Sequence, residues 1–398
     1  MQSFNPTQFA DAPAVALRNT VPLAAPCDFV VTLATERAAD PAFCFLWQAL
    51  VAGSASPQKI YQGPAYFKFL QETQAPGAQL ELLTIQRLSD AALVGVVPVR
   101  ICPQQLHFKL GPLNLHTVPV EMVNLLGSIP AVPGGSMVAG YLATQMLSLF
   151  PRAHAIFMQA VPLASAHWRD LNAIVPGGGT LATALMSPWR DCHTMPLPTS
   201  YAHYLDNFSA KKRYNLKRQL RQLAEQVGPL ALERIERPAQ VAGMRACLDA
   251  LLGPEEMKAT LSEGSYLALA RQGLLLCYVL RAGDQVMAVI LGTRSPDTVH
   301  VHNIFVEKKH LALSVGTSAM QLAIQDLIGL GGLSSIDFGY GSPQQEFRSS
   351  HVLETRAQVL LFDHTRSISL LFFVHRHVMA LSESLVGAVK ALRKAWHG

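Results

Sequence analysis

Five side chains between Thr298 and Phe347 could move protons. His300 and His302 sit two apart in the run Thr298-Val299-His300-Val301-His302-Asn303-Ile304-Phe305-Val306, which reads as a strand because β-branched and aromatic residues dominate it. Period two puts both imidazoles on one face, where either could accept a proton near neutral pH, or both could be ordinary half-exposed sheet histidines. Asp337, Tyr340 and Glu346 follow a second short strand, Ser335-Ile336-Asp337-Phe338. Such strand ends are where open α/β sheets bind ligands. A phenol there could give up a proton and a carboxylate could take one, while Asp337 could equally do no more than cap the glycine loop Gly339-Tyr340-Gly341.

Between the strands, Ser314, Val315, Gly316, Thr317 and Ser318 open a helical run whose apolar residues Met320, Ala323, Ile324, Leu327 and Ile328 recur at three- and four-residue spacing. A helix head made of small residues offers free N–H groups and the positive end of the dipole, so a phosphate or pyrophosphate is its natural guest. The alternative is a plain helix with Ser314 as its N-cap.

The elements that must position these residues come in two similar sets. Residues 1–27 read as an irregular arm. Then come a strand from Phe29 to Leu33, helices near Pro41–Val51 and Pro64–Glu72, and a hairpin of Leu80–Leu88 with Ala92–Ile101. Gly111–Pro133 is too rich in Pro and Gly to assign. A helix to Phe150, a strand His154–Ala160, a helix Ala164–Asn172 and a strand Gly179–Ala184 follow. After a helical stretch 201–228 the order repeats: strand Leu230–Ile235, helices Pro238–Leu252 and Pro254–Arg271, a hairpin of Leu274–Leu280 with Val286–Thr293, then the unit described above. Gly135 and Gly316 lie 181 positions apart and Ile156 and Ile336 lie 180 apart, so an internal duplication is expected.

This order, strand, two helices, hairpin, strand, glycine-flanked helix, strand, resembles the GCN5-related N-acetyltransferase (GNAT) fold. The chain further resembles the double-domain acetyltransferases of the CelD-like or BioF-like kind, relatives of the FemAB peptidoglycan transferases. The residues that carry this are Trp47 through Tyr66, Val94-Gly95-Val96-Val97-Pro98, Ser187-Pro188-Trp189, Phe208-Ser209-Ala210-Lys211-Lys212-Arg213, Ser314-Val315-Gly316-Thr317 and Asp337-Phe338-Gly339-Tyr340-Gly341. The resemblance implies an α/β protein of two tandem GNAT-like domains, each a mixed central sheet flanked by helices. The expected division is 28–200 for a degenerate first domain, 201–228 for a basic connecting helix, and 229–398 for the acyl-coenzyme A-binding domain with a C-terminal helix. It also implies acetyl-coenzyme A or another acyl-coenzyme A as co-substrate, held by the N–H groups of Ser314 to Ser318. The thioester carbonyl would lie against main-chain donors near Ile304, Phe305 and Val306. The acceptor would be an amine or hydroxyl on a sugar, lipid or polysaccharide precursor. The chain departs from the family at Gln345-Glu346, where Tyr-Lys is usual, and a carboxylate cannot do a lysine's work.

Composition narrows the remaining classes. Six cysteines without a CxxC pair suggest neither a metal site nor a disulfide framework. No apolar run approaches the roughly 18 residues of a membrane span, and the N-terminus lacks a secretory pattern, so a cytoplasmic protein is expected. The net charge of +5 is concentrated between Tyr201 and Gly228, where Lys211, Lys212, Arg213, Lys217, Arg218 and Arg221 face only Asp206 and Glu225. This surface suits phosphates, anionic polysaccharide or, as the alternative, tRNA for a FemAB-like aminoacyl transfer. A third reading is a non-catalytic subunit of a polysaccharide synthesis system. The run Ile368–Trp396 reads as a helix packed on the other domain, with a membrane-surface helix as the alternative.

Overall fold

We describe the chain from a computed structural model, over residues 28–397 other than 55, 57, 75–76, 112, 128–135, 175–179, 187–188, 341–351 and 366–367. The first half of the sequence forms β1 (Phe29–Leu33), α1 (Pro41–Ala52), α2 (Pro64–Thr73), β2 (Gln79–Arg87), β3 (Leu93–Leu110), β4 (Leu113–Leu125), α3 (Ser136–Leu149), β5 (Ala155–Pro162), α4 (Ala166–Ile174), β6 (Leu181–Leu185) and β7 (Arg190–Pro196). Two helices follow, α5 (Tyr201–Asp206) and α6 (Ala210–Val227). The second half forms β8 (Leu230–Ile235), α7 (Pro238–Leu251), α8 (Pro254–Met257), α9 (Glu263–Arg271), β9 (Cys277–Ala282), β10 (Gln285–Arg294), β11 (Thr298–Val306), α10 (Val315–Leu330), β12 (Ser335–Tyr340), β13 (Val352–Asp363) and α11 (Ile368–His397).

The expected duplication is present in the pairing. β1 to β4 are successively antiparallel and β5 joins β4 in parallel; β8 to β11 are likewise antiparallel and β12 joins β11 in parallel. In each half a helix makes the crossover. The halves differ in one respect: β4 is paired with β5 to its last residue, Leu125 with Met158, whereas β11 parts from β12 after His300 with Asp337 and runs on to Val306 paired with β10 alone.

The chain divides into two compact units, and not where the sequence suggested. One comprises the described residues of 28–58, 76–189 and 357–397; the other comprises 59–75 and 190–356. The boundary expected near 200 therefore moves, because α2 and β7 complete the second unit while the end of β13 and α11 complete the first. β12 needs a neighbour on its free edge and takes β7, antiparallel, with Asp337 opposite Thr194 and Tyr340 opposite Cys192. In the first unit Val359 to Asp363 of β13 pair with β6. Each unit has its own core, one around Val97, Leu142 and Ile156, the other around Leu280, Ile290, Ile324 and Ile336.

Three local expectations are also corrected. Residues 201–228 are not one helix: Ser200 caps α5 and Ser209 caps α6 by accepting from the N–H of Lys212 at 3.3 Å, so the chain restarts at the second cap. Pro254–Arg271 is interrupted in the same way, since Ser262 caps α9. The unassigned stretch after Gly111 contains β4, whose β-branched residues pair along the long strand β3. The helix α11, expected to pack on the other domain, packs on β3, an element of the same compact unit.

Candidate active site

All of the groups that follow belong to the second unit. The parting of β11 from β12 is prepared one strand away. The β10–β11 register slips between Leu291 and Gly292, so that Asn303 and Val301 find partners and His302 becomes the extra residue of a bulge. A Cβ on Gly292 would stand 2.8 Å from the carbonyl oxygen of Leu276 and 2.9 Å from that of His300, so only glycine fits. Beyond His300 no described strand pairs with the outer edge of β11. Since Glu307 N–H turns back to Met287 of β10 at 2.8 Å, the alternation of an antiparallel strand points the N–H groups of Ile304 and Val306 away from β10, into the opening.

The head of α10 lies beside those two residues. A Cβ on Gly316 would meet Val306 Cγ1 at 3.3 Å and Ile304 Cγ2 at 3.8 Å, so glycine lets the helix sit close on the strand. Ser314 adopts a left-handed conformation (φ 54°, ψ 40°) and does not cap the helix with its side chain. Its hydroxyl instead accepts from Gln219 Nε2 of α6 at 3.2 Å. The first amide to turn back into the helix is Ser318, to the Ser314 carbonyl at 3.0 Å, which leaves the N–H groups of Val315, Gly316 and Thr317 at the dipole's positive end. Ser314 thus occupies the N-cap position without capping through its side chain. Ser318 itself is fully buried.

At the point of parting, Asp337 is held on several sides. Its Oδ2 takes Arg356 Nη1 at 2.7 Å, and its Oδ1 accepts the N–H of Gly339 at 2.7 Å. Arg356, 2% exposed, also donates from Nε to Glu354 Oε2 at 2.6 Å. Burial works against the guanidinium's charge, but the two carboxylates outweigh it and raise its pKa. Asp337 therefore caps the glycine turn and neutralises a buried cation, a structural duty for a residue expected among the acid–base groups.

The two histidines have different surroundings, against the expectation of an equivalent pair, because the bulge intervenes. His302 Nε2 is engaged with Thr293 Oγ1 at 2.9 Å. His300 is 5% exposed; its Nδ1 lies 3.7 Å from Asp337 Oδ2, and its Nε2 is buried with no hydrogen-bond partner among the described residues. Burial lowers its pKa to about 4 against the opposing pull of Asp337, so the ring is neutral at pH 7. The ring of Tyr61 stands 5.9 Å away, centroid to centroid. Tyr61 arrives on the segment 59–75, which is pinned to the second unit by Lys59 on Asp297 at 2.9 Å and by Glu72 on Arg271 at 2.7 Å.

Tyr340 ends β12 with its ring under the guanidinium of Arg190, 4.5 Å from the centroid. Its hydroxyl is buried without a partner among the described residues, and burial, followed by the nearby Cys192, pushes its pKa up to about 12. The phenol stays protonated at pH 7. Glu346, like Gln345, lies outside the described residues.

On α6, Lys211, Lys217 and Arg218 are exposed, while Arg213 reaches Asp206 at 3.7 Å. Tyr204 of α5 and Phe208 of the link to α6 are core residues, but Tyr214 is 60% exposed. Sequence reasoning missed Arg356, Glu354, Arg190 and Tyr61. For Arg356 there was a signal: a lone arginine ahead of the apolar run Val359 to Phe362 must find an acid if it is buried. For Tyr61 there was none, since nothing local ties it to residues more than two hundred positions away.

A family described as the acetyltransferase (GNAT) domain matches residues 210–348. A search of the curated proteins returns no match. Among solved structures, the crystal structure of FemX superposes with a TM-score of 0.58 at 11% identity, covering 83% of this chain and 98% of that one. A conserved protein of unknown function from Bacteroides thetaiotaomicron gives a TM-score of 0.51 at 10% identity, covering 84% of this chain and all of that one, 100%. At these identities the likeness is one of fold.

Proposed function

We propose, from the premise that this chain belongs to the GNAT superfamily through its domain at residues 210–348, that it transfers an acyl group from acyl-coenzyme A to an amine or hydroxyl of a sugar, lipid or polysaccharide precursor. The observation that carries this reading is the gap between β11 and β12 beside the uncapped, glycine-bearing head of α10. The N–H groups of Val315, Gly316 and Thr317 receive the pyrophosphate, and those of Ile304 and Val306 face the thioester arm. The first unit is the degenerate copy, since β4 has no unpaired overhang to offer a donor.

Chemistry in such a site is one displacement. The acceptor nitrogen or oxygen forms a bond to the thioester carbon, the carbon–sulfur bond breaks, and the acceptor's proton leaves while the thiolate gains one. Tyr340, protonated and with a free hydroxyl, gives its proton to the thiolate. His300, neutral with a free Nε2, takes the acceptor's proton through one water. Asp337 and Arg356 position His300 and the Gly339 turn without entering the reaction.

The reading is tested by thermal stabilisation. Acetyl-coenzyme A at about a hundred times its Kd should stabilise the fold by roughly 2.7 kcal/mol. Absence of any shift with acetyl, malonyl and longer acyl donors would overturn it. A second reading, aminoacyl transfer from tRNA, is favoured by the exposed cations of α6. It requires salt-sensitive tRNA binding that is lost in Lys217→Glu/Arg218→Glu. Binding of neither ligand would leave the non-catalytic subunit.

A further inference from the structure

A bulge brings Tyr340 to the face of the second unit's sheet that holds Asp337. The two residues are three apart on β12, a spacing that strand alternation sends to opposite faces. The β12–β7 register slips between them, where Gly339 turns to φ 60°, so that Phe338 and Gly339 together oppose only His193. Tyr340 thereby lands opposite Cys192, two residues along β7 from the Thr194 that faces Asp337. Arg190, a further two residues along, stands on that same face and lays its guanidinium over the Tyr340 ring, 4.5 Å from the centroid.

The charges on this face are unevenly matched. Arg190 lies directly opposite Arg356 across the β7–β13 pair. Like charges in that relation destabilise a sheet, and Arg356 is relieved by two acids, Asp337 at 2.7 Å and Glu354 at 2.6 Å. Arg190 has neither. Glu354, whose backbone pairs with Cys192, turns its carboxylate to Arg356, and no ion pair joins Arg190 to an acid among the described residues. The buried cation is thus met inside the fold, while the exposed one is presented outward.

An exposed arginine needs no partner, since water serves it. Arg190 differs in being set against a second guanidinium, and in having its plane held by the ring of the residue proposed to protonate the thiolate. A guanidinium held in this way presents a fixed fork of donors, which matches a carboxylate or a phosphate. We infer, on the premise of the acyl transfer proposed above, that Arg190 binds an anionic group, a carboxylate or phosphate, on one of the two molecules that meet at Tyr340. Two places on those molecules offer it the same chemistry: the acceptor, or the far end of a dicarboxylic acyl chain.

Isothermal titration of the full chain separates the two sources. One arm compares glucose 6-phosphate and glucuronic acid with glucose, for an anion on the acceptor. The other compares malonyl-coenzyme A with acetyl-coenzyme A, for an anion on the acyl group. In at least one arm the parent should bind a charged probe at least about tenfold more tightly than its uncharged counterpart. Arg190→Leu should abolish that preference, and Arg190→Lys, a point charge without the fork, should keep only part of it. Both variants should keep the circular dichroism of the parent, because Arg190 is exposed. A parent that prefers no charged probe overturns the inference, and so does an Arg190→Leu protein that retains the preference. The sugar arm needs no acyl donor, so a parent that shows no thermal shift with any acyl-coenzyme A overturns the acyl reading separately.

Discussion

Tyr340 and His300 divide the proposed proton traffic, and each can be interrogated without dismantling the site. Tyr340→Phe keeps the ring under Arg190 and removes only the hydroxyl. It should lower kcat by roughly 10²-fold while leaving the thermal shift with acetyl-coenzyme A intact. For His300 the relevant comparison is with the unfolded chain, where a histidine titrates near 6.5. The folded value is lowered to about 4, so between those pH values the unfolded state binds more protons. Stability should therefore fall as pH drops from about 6.5 towards 4, and His300→Gln should flatten that slope in urea titrations. The buried pair behaves oppositely to an exposed one. Asp337→Asn leaves the buried Arg356 with Glu354 as its carboxylate partner and should cost up to about 3 kcal/mol by denaturant unfolding, whereas Asp337→Asn with Arg356→Met should recover part of it. Equal losses in the single and double variants would show that the loss does not come from unpairing Arg356.

Among the elements, two glycines do work that no other residue can. At Gly292 an added methyl would press on two backbone carbonyls, which cannot swing aside as a side chain can. Gly292→Ala should cost roughly 1–3 kcal/mol and disturb the bulge that opens β11. At Gly316 the contact is the side chain of Val306, at 3.3 Å, so Gly316→Ala should be milder in stability and felt chiefly as weaker donor binding. A Gly316→Ala protein that binds acetyl-coenzyme A as the parent does would separate the helix head from the donor. Element types were legible because periodicity and β-branching are local. The helix restarts at Ser209 and Ser262 were missed because a capping serine competes with a helix that could have run on through it.

For the whole molecule, the division into units has a direct consequence. A fragment 201–398 lacks α2 and β7 and carries α11, which belongs to the other unit. Neither it nor 28–200 should give a cooperative thermal transition alone, whereas the intact chain should; a sharp transition in either fragment would contradict the observed division.

Sequence by itself determined the α/β class, the doubling of the unit, the helix that begins after Ser314 and the place of Tyr340 at a strand end. All of these rest on spacings within a few turns or strands, where the backbone's periodicity translates position into direction. Only the tertiary structure decided which histidine meets Asp337, that Arg356 neutralises it, that Tyr61 stands beside them, and that Arg190 lies opposite Arg356. Those outcomes depend on which strands pair and which faces find partners. Burial free energy is summed over contacts between residues far apart in the chain, and no local spacing encodes them.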